Sequence, residues 1–220
     1  MKIVREISRR RVLLGTGACA TVAALGGTAA AADKLRRTPT QVLGPFYPLD
    51  KPLDADADLT LVKGRKGRAE GQVLHVMGRV LNADGVPVSG ARIEIWQANA
   101  RGRYAHPADN SPAPLDPNFQ GYCQLLTDAD GRYRFKTIKP LGYPAGDIMR
   151  PAHIHFDVMG KHNRLVTQMY FPDDPMNDSD VVLATATKNR KLLVADVRAP
   201  TPDLEPDSQL AHWDIVLENG

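Results

Sequence analysis

Two Asp-Gly pairs do most to limit how this chain can fold. Asp84-Gly85 stands between residues 75–81 and 91–96, and Asp130-Gly131 between 123–126 and 132–135. In each flanking run small or apolar side chains alternate with polar ones, the period of a half-buried strand. An Asp-Gly pair between two such runs is a strong hairpin signal, so two hairpins are expected here. Residues 154–159, 165–171, 192–197 and 210–217 supply further strands. Helical periodicity is nearly absent after residue 32. The expected fold class is therefore all-β, a β-sandwich of mainly antiparallel strands with long ordered loops around a metal site. The acidic turn Thr127-Asp128-Ala129-Asp130-Gly131 resembles part of a calcium loop, but the distal glutamate is missing and it reads as a turn.

Residues 1–32 read as an export leader. Ser8-Arg9-Arg10-Arg11-Val12-Leu13 is a twin-arginine pattern, and the apolar run after it, about 12–25, is shorter than the roughly 20 residues of a spanning helix. Ala30-Ala31-Ala32 offers a small-residue cleavage site, which predicts a cleaved signal, no stable membrane insertion afterwards, and a periplasmic or extracellular protein. Residues 33–70 are rich in Pro, Asp and Gly and form an N-terminal arm in which Phe46 and Tyr47 act as pins. Residues 71–220 form the catalytic sandwich domain.

The leader also carries the basic charge. Of 28 Lys and Arg and 25 Asp and Glu, it holds Lys2, Arg5, Arg9, Arg10, Arg11 and Glu6, leaving 23 basic against 24 acidic residues. A near-neutral remainder gives no support for a nucleic-acid partner. Cys19 lies in the leader, so Cys123 is left alone and is expected as a buried thiol on a strand.

The chemistry centres on Arg150-Pro151-Ala152-His153-Ile154-His155-Phe156. Side chains two apart on a strand share a face, so His153 and His155 can reach one metal ion. Pro151 biases Arg150 toward extended backbone and sets its guanidinium at the strand entrance. Two cysteines are too few for most structural zinc sites. Tyr104 and Tyr143, each in a turn-rich segment upstream, are better partners: phenolate is a hard oxygen donor, and a highly charged cation favours it despite a free phenol pKa near ~10. Two tyrosinates and two histidines would make an iron(III) site. His75, His106, His162 and His212 read as structural or surface residues.

Together with Trp96-Gln97-Ala98-Asn99-Ala100, Gly102-Arg103-Tyr104, Pro114-Leu115-Asp116-Pro117-Asn118-Phe119 and the Gly44-Pro45-Phe46-Tyr47-Pro48 of the arm, these motifs resemble the intradiol ring-cleavage dioxygenases. The resemblance covers about residues 38–171. It implies Fe(III) as cofactor, held by Tyr104, Tyr143, His153 and His155, with Tyr143 as the axial ligand released when substrate arrives. It makes Arg150, Tyr143 and Gln168 the catalytic set, and Trp96 and Arg150 part of the substrate pocket. The implied reaction cleaves a catechol-type small molecule with O2 between its two hydroxyl-bearing carbons, giving a muconate-type diacid. A homo-oligomer, or a hetero-oligomer with a related subunit, is also implied. The stretch 144–149 is shorter than the family's and lacks its aromatic and basic residues, so protocatechuate, catechol, hydroxyquinol and larger lignin-derived aromatics all stay open as substrates. The other class of function is a secreted β-sandwich binding or spacer module, which has no need of Arg150 beside two histidines and two tyrosines.

Overall fold

Alternation decides which side chains of this chain face inward, and most strands follow it. The computed structural model describes residues 34–52 and 56–219, all within the unit Asp33–Gly220. The leader pattern, Cys19 and the expected cleavage site lie outside the described residues. Strand β1 spans Val73–Asn82, β2 Arg92–Gln97, β3 Tyr122–Leu126 and β4 Arg132–Ile138. The short strands β5 (Tyr143–Ala145) and β6 (Ile148–Arg150) follow, then β7 (His153–Met159) and β8 (Arg164–Tyr170). After them come β9 (Asp196–Arg198), β10 (Gln209–His212) and β11 (Ile215–Leu217).

One sheet is built on β1, which pairs antiparallel with β4 and parallel with β10 and β11. The other has the order β3-β2-β7-β8, with every pair antiparallel. The two stack as a sandwich, as expected. Leu74, Val76, Ile93, Ile95, Phe135, Ile154, Phe156 and Val158 fill the space between them with almost no exposure. On β7 the alternate residues His153, His155 and Asp157 therefore face the other way, yet they too are buried. The arm covers them. It is tied to β8 by Gln41 N–H donating to Val166 O (2.9 Å) and Thr167 Oγ1 donating to Pro39 O (2.8 Å).

The hairpin expectation fails at both Asp-Gly turns. The turns exist, with Gly85 and Gly131 at positive φ, but β1 and β2 belong to different sheets, as do β3 and β4. Each turn is a crossover. After Gly85 the chain pairs back only briefly, Val88 N–H donating to Val80 O, before Thr127 captures it: Ala91 N–H donates to the Thr127 hydroxyl, which donates to Val88 O. Alternation specifies a buried face, and both sheets of a sandwich have one, so it does not choose the sheet. The turn at 127–131 is held by Asp128, whose carboxylate accepts from the N–H groups of Asp130 and Arg132.

Two further strand assignments need correction. Residues 192–197 are not one strand: a 3₁₀ turn over Thr187–Leu193 ends there before β9 begins. Residues 210–217 split into β10 and β11 around Trp213, whose indole donates to Leu192 O. The segment between β8 and β9 also contains a 3₁₀ turn, Pro175–Asp178, and one short helix, α1 (Val181–Ala184). Cys123 is a free, buried thiol, and burial pushes its pKa up. Among the described residues, no helix is long and apolar enough to cross a membrane.

Away from the site, Glu205 joins two strands by accepting from Lys136 (2.5 Å) and His75 (2.5 Å). Those bonds, Lys136 first, lower its carboxyl pKa from 4.5 to about 2. A folded-state pKa below the unfolded one stabilises above the unfolded value and loses that contribution as pH falls. Glu205→Gln should therefore lower the melting temperature at pH 7, and the gap to wild type should close between pH 4.5 and about 2, as thermal unfolding across that range will show.

Candidate metal centre

Backbone pairing brings the site together. Residues directly opposite on neighbouring strands share a face, and the register sets Trp96 against His155 and His155 against Gln168, so the three stand in one row across β2, β7 and β8. His153 is opposite Tyr170. The stretch 144–149 closes into the β5–β6 hairpin, which places Tyr143 opposite Arg150. Tyr104 comes from the loop after β2. There the Asn99 side chain accepts from the N–H groups of Arg101 and Arg103, and the Asp109 carboxylate accepts from Tyr104 N–H at 2.7 Å. Gly102, at φ 74°, lets this loop reach the hairpin: a Cβ there would stand 2.4 Å from Gly142 O.

The four expected ligands meet. The Nε2 atoms of His153 and His155 are 3.1 Å apart. Ring centroids lie 5.1 Å apart for Tyr104 and Tyr143, 5.5 Å for Tyr143 and His153, and 6.2 Å for Tyr104 and His155. None of the four is more than 3% exposed. His153 Nδ1 is 2.8 Å from Pro151 O, and a carbonyl only accepts, so Nδ1 carries the hydrogen and the Nε2 lone pair faces the centre. A second hydrogen bond of this kind commonly orients a metal-bound histidine. Trp96 stacks on the His155 ring at 4.7 Å and 8°.

Electrostatics keep the imidazoles neutral. Desolvation, then the Arg150 charge, lowers His153 to about 3, and desolvation with the His153 and Arg150 charges drives His155 well below its usual range. Burial raises Tyr104 well above 10 and raises Tyr143 too, Arg150 opposing the second shift. The Tyr104 hydroxyl has no hydrogen-bond partner in the protein. Neutral imidazole lone pairs and an orphaned buried phenol are a donor set that lacks only a cation, and a trivalent one would favour both phenolates. Among the described residues, no group of three or more His, Cys, Asp or Glu side chains could hold a metal, and the side chains packed beside the two histidines are the phenols of Tyr104 and Tyr143.

Arg150 is 4% exposed and held from several sides. Its Nε donates to Asp180 at 2.6 Å, and its Nη2 donates to Gln168 Oε1 at 2.8 Å and to the Tyr170 hydroxyl at 3.1 Å. Nη1 is the donor edge these bonds leave. Asp180 and Tyr170 were missed in the sequence. Asp180 also caps α1, accepting from Leu183 N–H at 2.5 Å, and Asp before a short apolar run is the one signal that could have flagged it. Gln168 donates to Val42 O, which ties the network to the arm.

The arm does what Phe46 and Tyr47 suggested and also forms the site's outer wall. The Phe46 ring lies 4.7 Å from Tyr104 and 5.7 Å from Tyr143. Tyr47 meets Trp96 edge-on at 5.0 Å and donates to Glu94, whose buried carboxylate also receives Lys51 at 2.8 Å. Gly44, at φ 77°, passes so near His155 that a Cβ would stand 3.1 Å from its ring.

The family model described as Dioxygenase matches residues 42–219. Over 179 residues the chain is 50% identical to the protocatechuate 3,4-dioxygenase beta chain of Burkholderia cepacia, covering 79% of this chain and 76% of that one. This chain is an intradiol ring-cleavage dioxygenase by family. It is also 36% identical to hydroxyquinol 1,2-dioxygenase of Rhizobium sp. (strain MTP-10005) over 70% of its length, but spans only 53% of that enzyme. Among solved structures, hydroxyquinol 1,2-dioxygenase from Pseudomonas putida DLL-E4 superposes with a TM-score of 0.67 at 26% identity, covering 84% of this chain and 67% of that one.

Removing one partner of a buried ion pair costs about 3–5 kcal/mol, whereas replacing both with packed apolar groups is often near neutral. Asp180→Leu should accordingly lower the urea midpoint sharply, while the double variant Arg150→Met, Asp180→Leu recovers part of the loss, the cap on Leu183 N–H staying broken. Denaturation curves for the wild type, both single variants and the double variant measure that coupling.

Proposed function

We propose that this chain is a non-haem iron(III) intradiol dioxygenase, acting with O2 on a catechol-type aromatic, protocatechuate-like or related, to give a muconate-type diacid. The observation that carries the reading is the convergence of two neutral imidazoles and two buried phenols on one point. Tyr104, Tyr143, His153 and His155 would hold the iron. When bound, the iron supplies Lewis acidity that draws charge from a catechol dianion and opens its ring to O2.

The chain's own residues have separable tasks. Tyr143 sits opposite Arg150 and as a phenolate would be a base that could accept a proton from a catechol hydroxyl. Arg150 keeps its charge and would stabilise negative charge developing on the ring, with Asp180, Gln168 and Tyr170 fixing its plane. Phe46, Trp96 and the arm exclude water. The twin-arginine pattern at residues 8–13 supports export to the periplasm or beyond. Assembly with further copies or a related subunit fits the exposed Leu141, Ile148 and Met149 around the hairpin.

Iron-loaded protein given catechol under ¹⁸O₂ should yield a ring-opened diacid carrying both labelled atoms, detected by mass spectrometry. A semialdehyde, from cleavage beside rather than between the hydroxyl-bearing carbons, would contradict the reading. Arg150→Lys should lower kcat/KM by about 10²-fold, the scale of losing one preorganised charge-stabilising donor, because an ammonium does not reproduce the guanidinium's fixed fork.

A further inference from the structure

The carbonyl that holds His153 belongs to a peptide unit with a second bond. Pro151 O accepts from His153 Nδ1 at 2.8 Å, and the N–H across the same C–N bond, that of Ala152, donates to Asp174 Oδ2 at 2.7 Å. Resonance joins the two ends of a peptide unit, so a carboxylate drawing on the N–H leaves more negative charge on the oxygen. An unbroken line of bonds thus runs from Asp174 through one peptide to the imidazole of a candidate ligand. Ala152 is 6% exposed and His153 2%, so little water competes along it.

Asp174 is placed for this by the turn it begins. Its Oδ1 accepts from Met176 N–H at 2.9 Å and caps the 3₁₀ turn Pro175–Asp178. Met176 in turn lies over Gly142, where a Cβ would stand 2.7 Å from Met176 Cε and 3.5 Å from Ala152 N. Of the four aspartates in residues 173–180, Asp173, Asp178 and Asp180 pair with Lys139, Arg190 and Arg150, whereas Asp174 gives both oxygens to backbone N–H groups. An amide has one acceptor oxygen and no charge, so asparagine could not serve both bonds. His155 lacks this support: its Nδ1 has no hydrogen-bond partner in the protein, and its ring is held by stacking on Trp96.

We propose that Asp174 is a positioning residue for His153: through the Pro151–Ala152 peptide its carboxylate fixes the Nδ1–H tautomer and makes His153 Nε2 the stronger donor of the two imidazoles. The proposal rests on the iron reading only for what Nε2 holds. Outer hydrogen-bond partners of metal-bound histidines are worth about 10–100-fold in metal affinity. A carboxylate acting through one peptide belongs at the lower end, since each bond in such a line strengthens the next by about 10–30%.

The test compares wild type with Asp174→Asn, Asp174→Ser and Asn177→Ala. Asn and Ser are both good caps, so the first two variants keep the turn while removing the carboxylate. Asn177→Ala removes the bond from Asn177 Nδ2 to Phe171 O (2.6 Å) and loosens the same turn without touching the 151–152 peptide. In metal-free, ¹⁵N-histidine-labelled protein, the His153 Nδ1–H proton should move to lower frequency in both Asp174 variants, as its hydrogen bond weakens, and stay in place in Asn177→Ala. The His155 signals should hold still throughout. Iron(III) affinity, measured by competition with a chelator, should fall about tenfold in the Asp174 variants alone. At saturating iron their tyrosinate charge-transfer band should move to longer wavelength, because a weaker imidazole donor leaves the metal more electron-poor. A His153 signal unmoved by the Asp174 variants, or moved equally by Asn177→Ala, overturns the proposal, as does an iron affinity indifferent to Asp174. A His153 shift confined to the Asp174 variants, in a protein that takes up no iron, sustains the link from carboxylate to imidazole and overturns the iron reading instead.

Discussion

Two imidazole nitrogens 3.1 Å apart in a buried pocket set the terms for everything around them. Both rings are kept neutral by burial and by Arg150, and the tyrosine rings beside them carry phenols whose pKa burial raises. Such a cluster does little for stability, since buried polar groups without full hydrogen bonding cost free energy. A cation reverses the balance by giving every donor a partner. The site's form is therefore what the proposed iron(III) would need, with the donors held in place by the scaffold.

The sandwich meets that requirement by dividing labour between the faces of one sheet. Ile154, Phe156 and Val158 anchor β7 in the core, and His153 and His155 on the alternate positions inherit that rigidity. The outward face would be wet without the arm. Gln41, Val42, Gly44, Phe46 and Tyr47 cover it through bonds to β8 and to Glu94, and the network Asp180-Arg150-Gln168-Tyr170 joins the arm, β6, β8 and α1 around the same point. Arg150 matters to both faces of the argument. It lowers the basicity of the imidazoles, and in the proposed reaction it would be the fixed positive charge beside the ring.

Much of the site was legible in the sequence because period-two geometry is local. His153-Ile154-His155 could only share a face on a strand, and Pro151 fixed the approach of Arg150. Most strands were equally plain, apart from the 3₁₀ turn at 187–193, the break at Trp213 and the short hairpin of β5 and β6. Their pairing was not, because Asp84-Gly85 and Asp130-Gly131 specify a reversal without saying which sheet receives the chain. Asp180 was hidden for a similar reason: thirty residues separate it from Arg150, and its partner is chosen by tertiary packing.

The visible absorption spectrum of iron-loaded protein, set beside that of a Tyr104→Phe, Tyr143→Phe double variant, reads the central claim directly. Tyrosinate bound to iron(III) gives a broad charge-transfer band, so the wild type should be reddish, the double variant should lose the band, and anaerobic catechol should shift it. A wild type that takes up no iron, or a double variant with the band intact, would contradict a centre built on these two phenols.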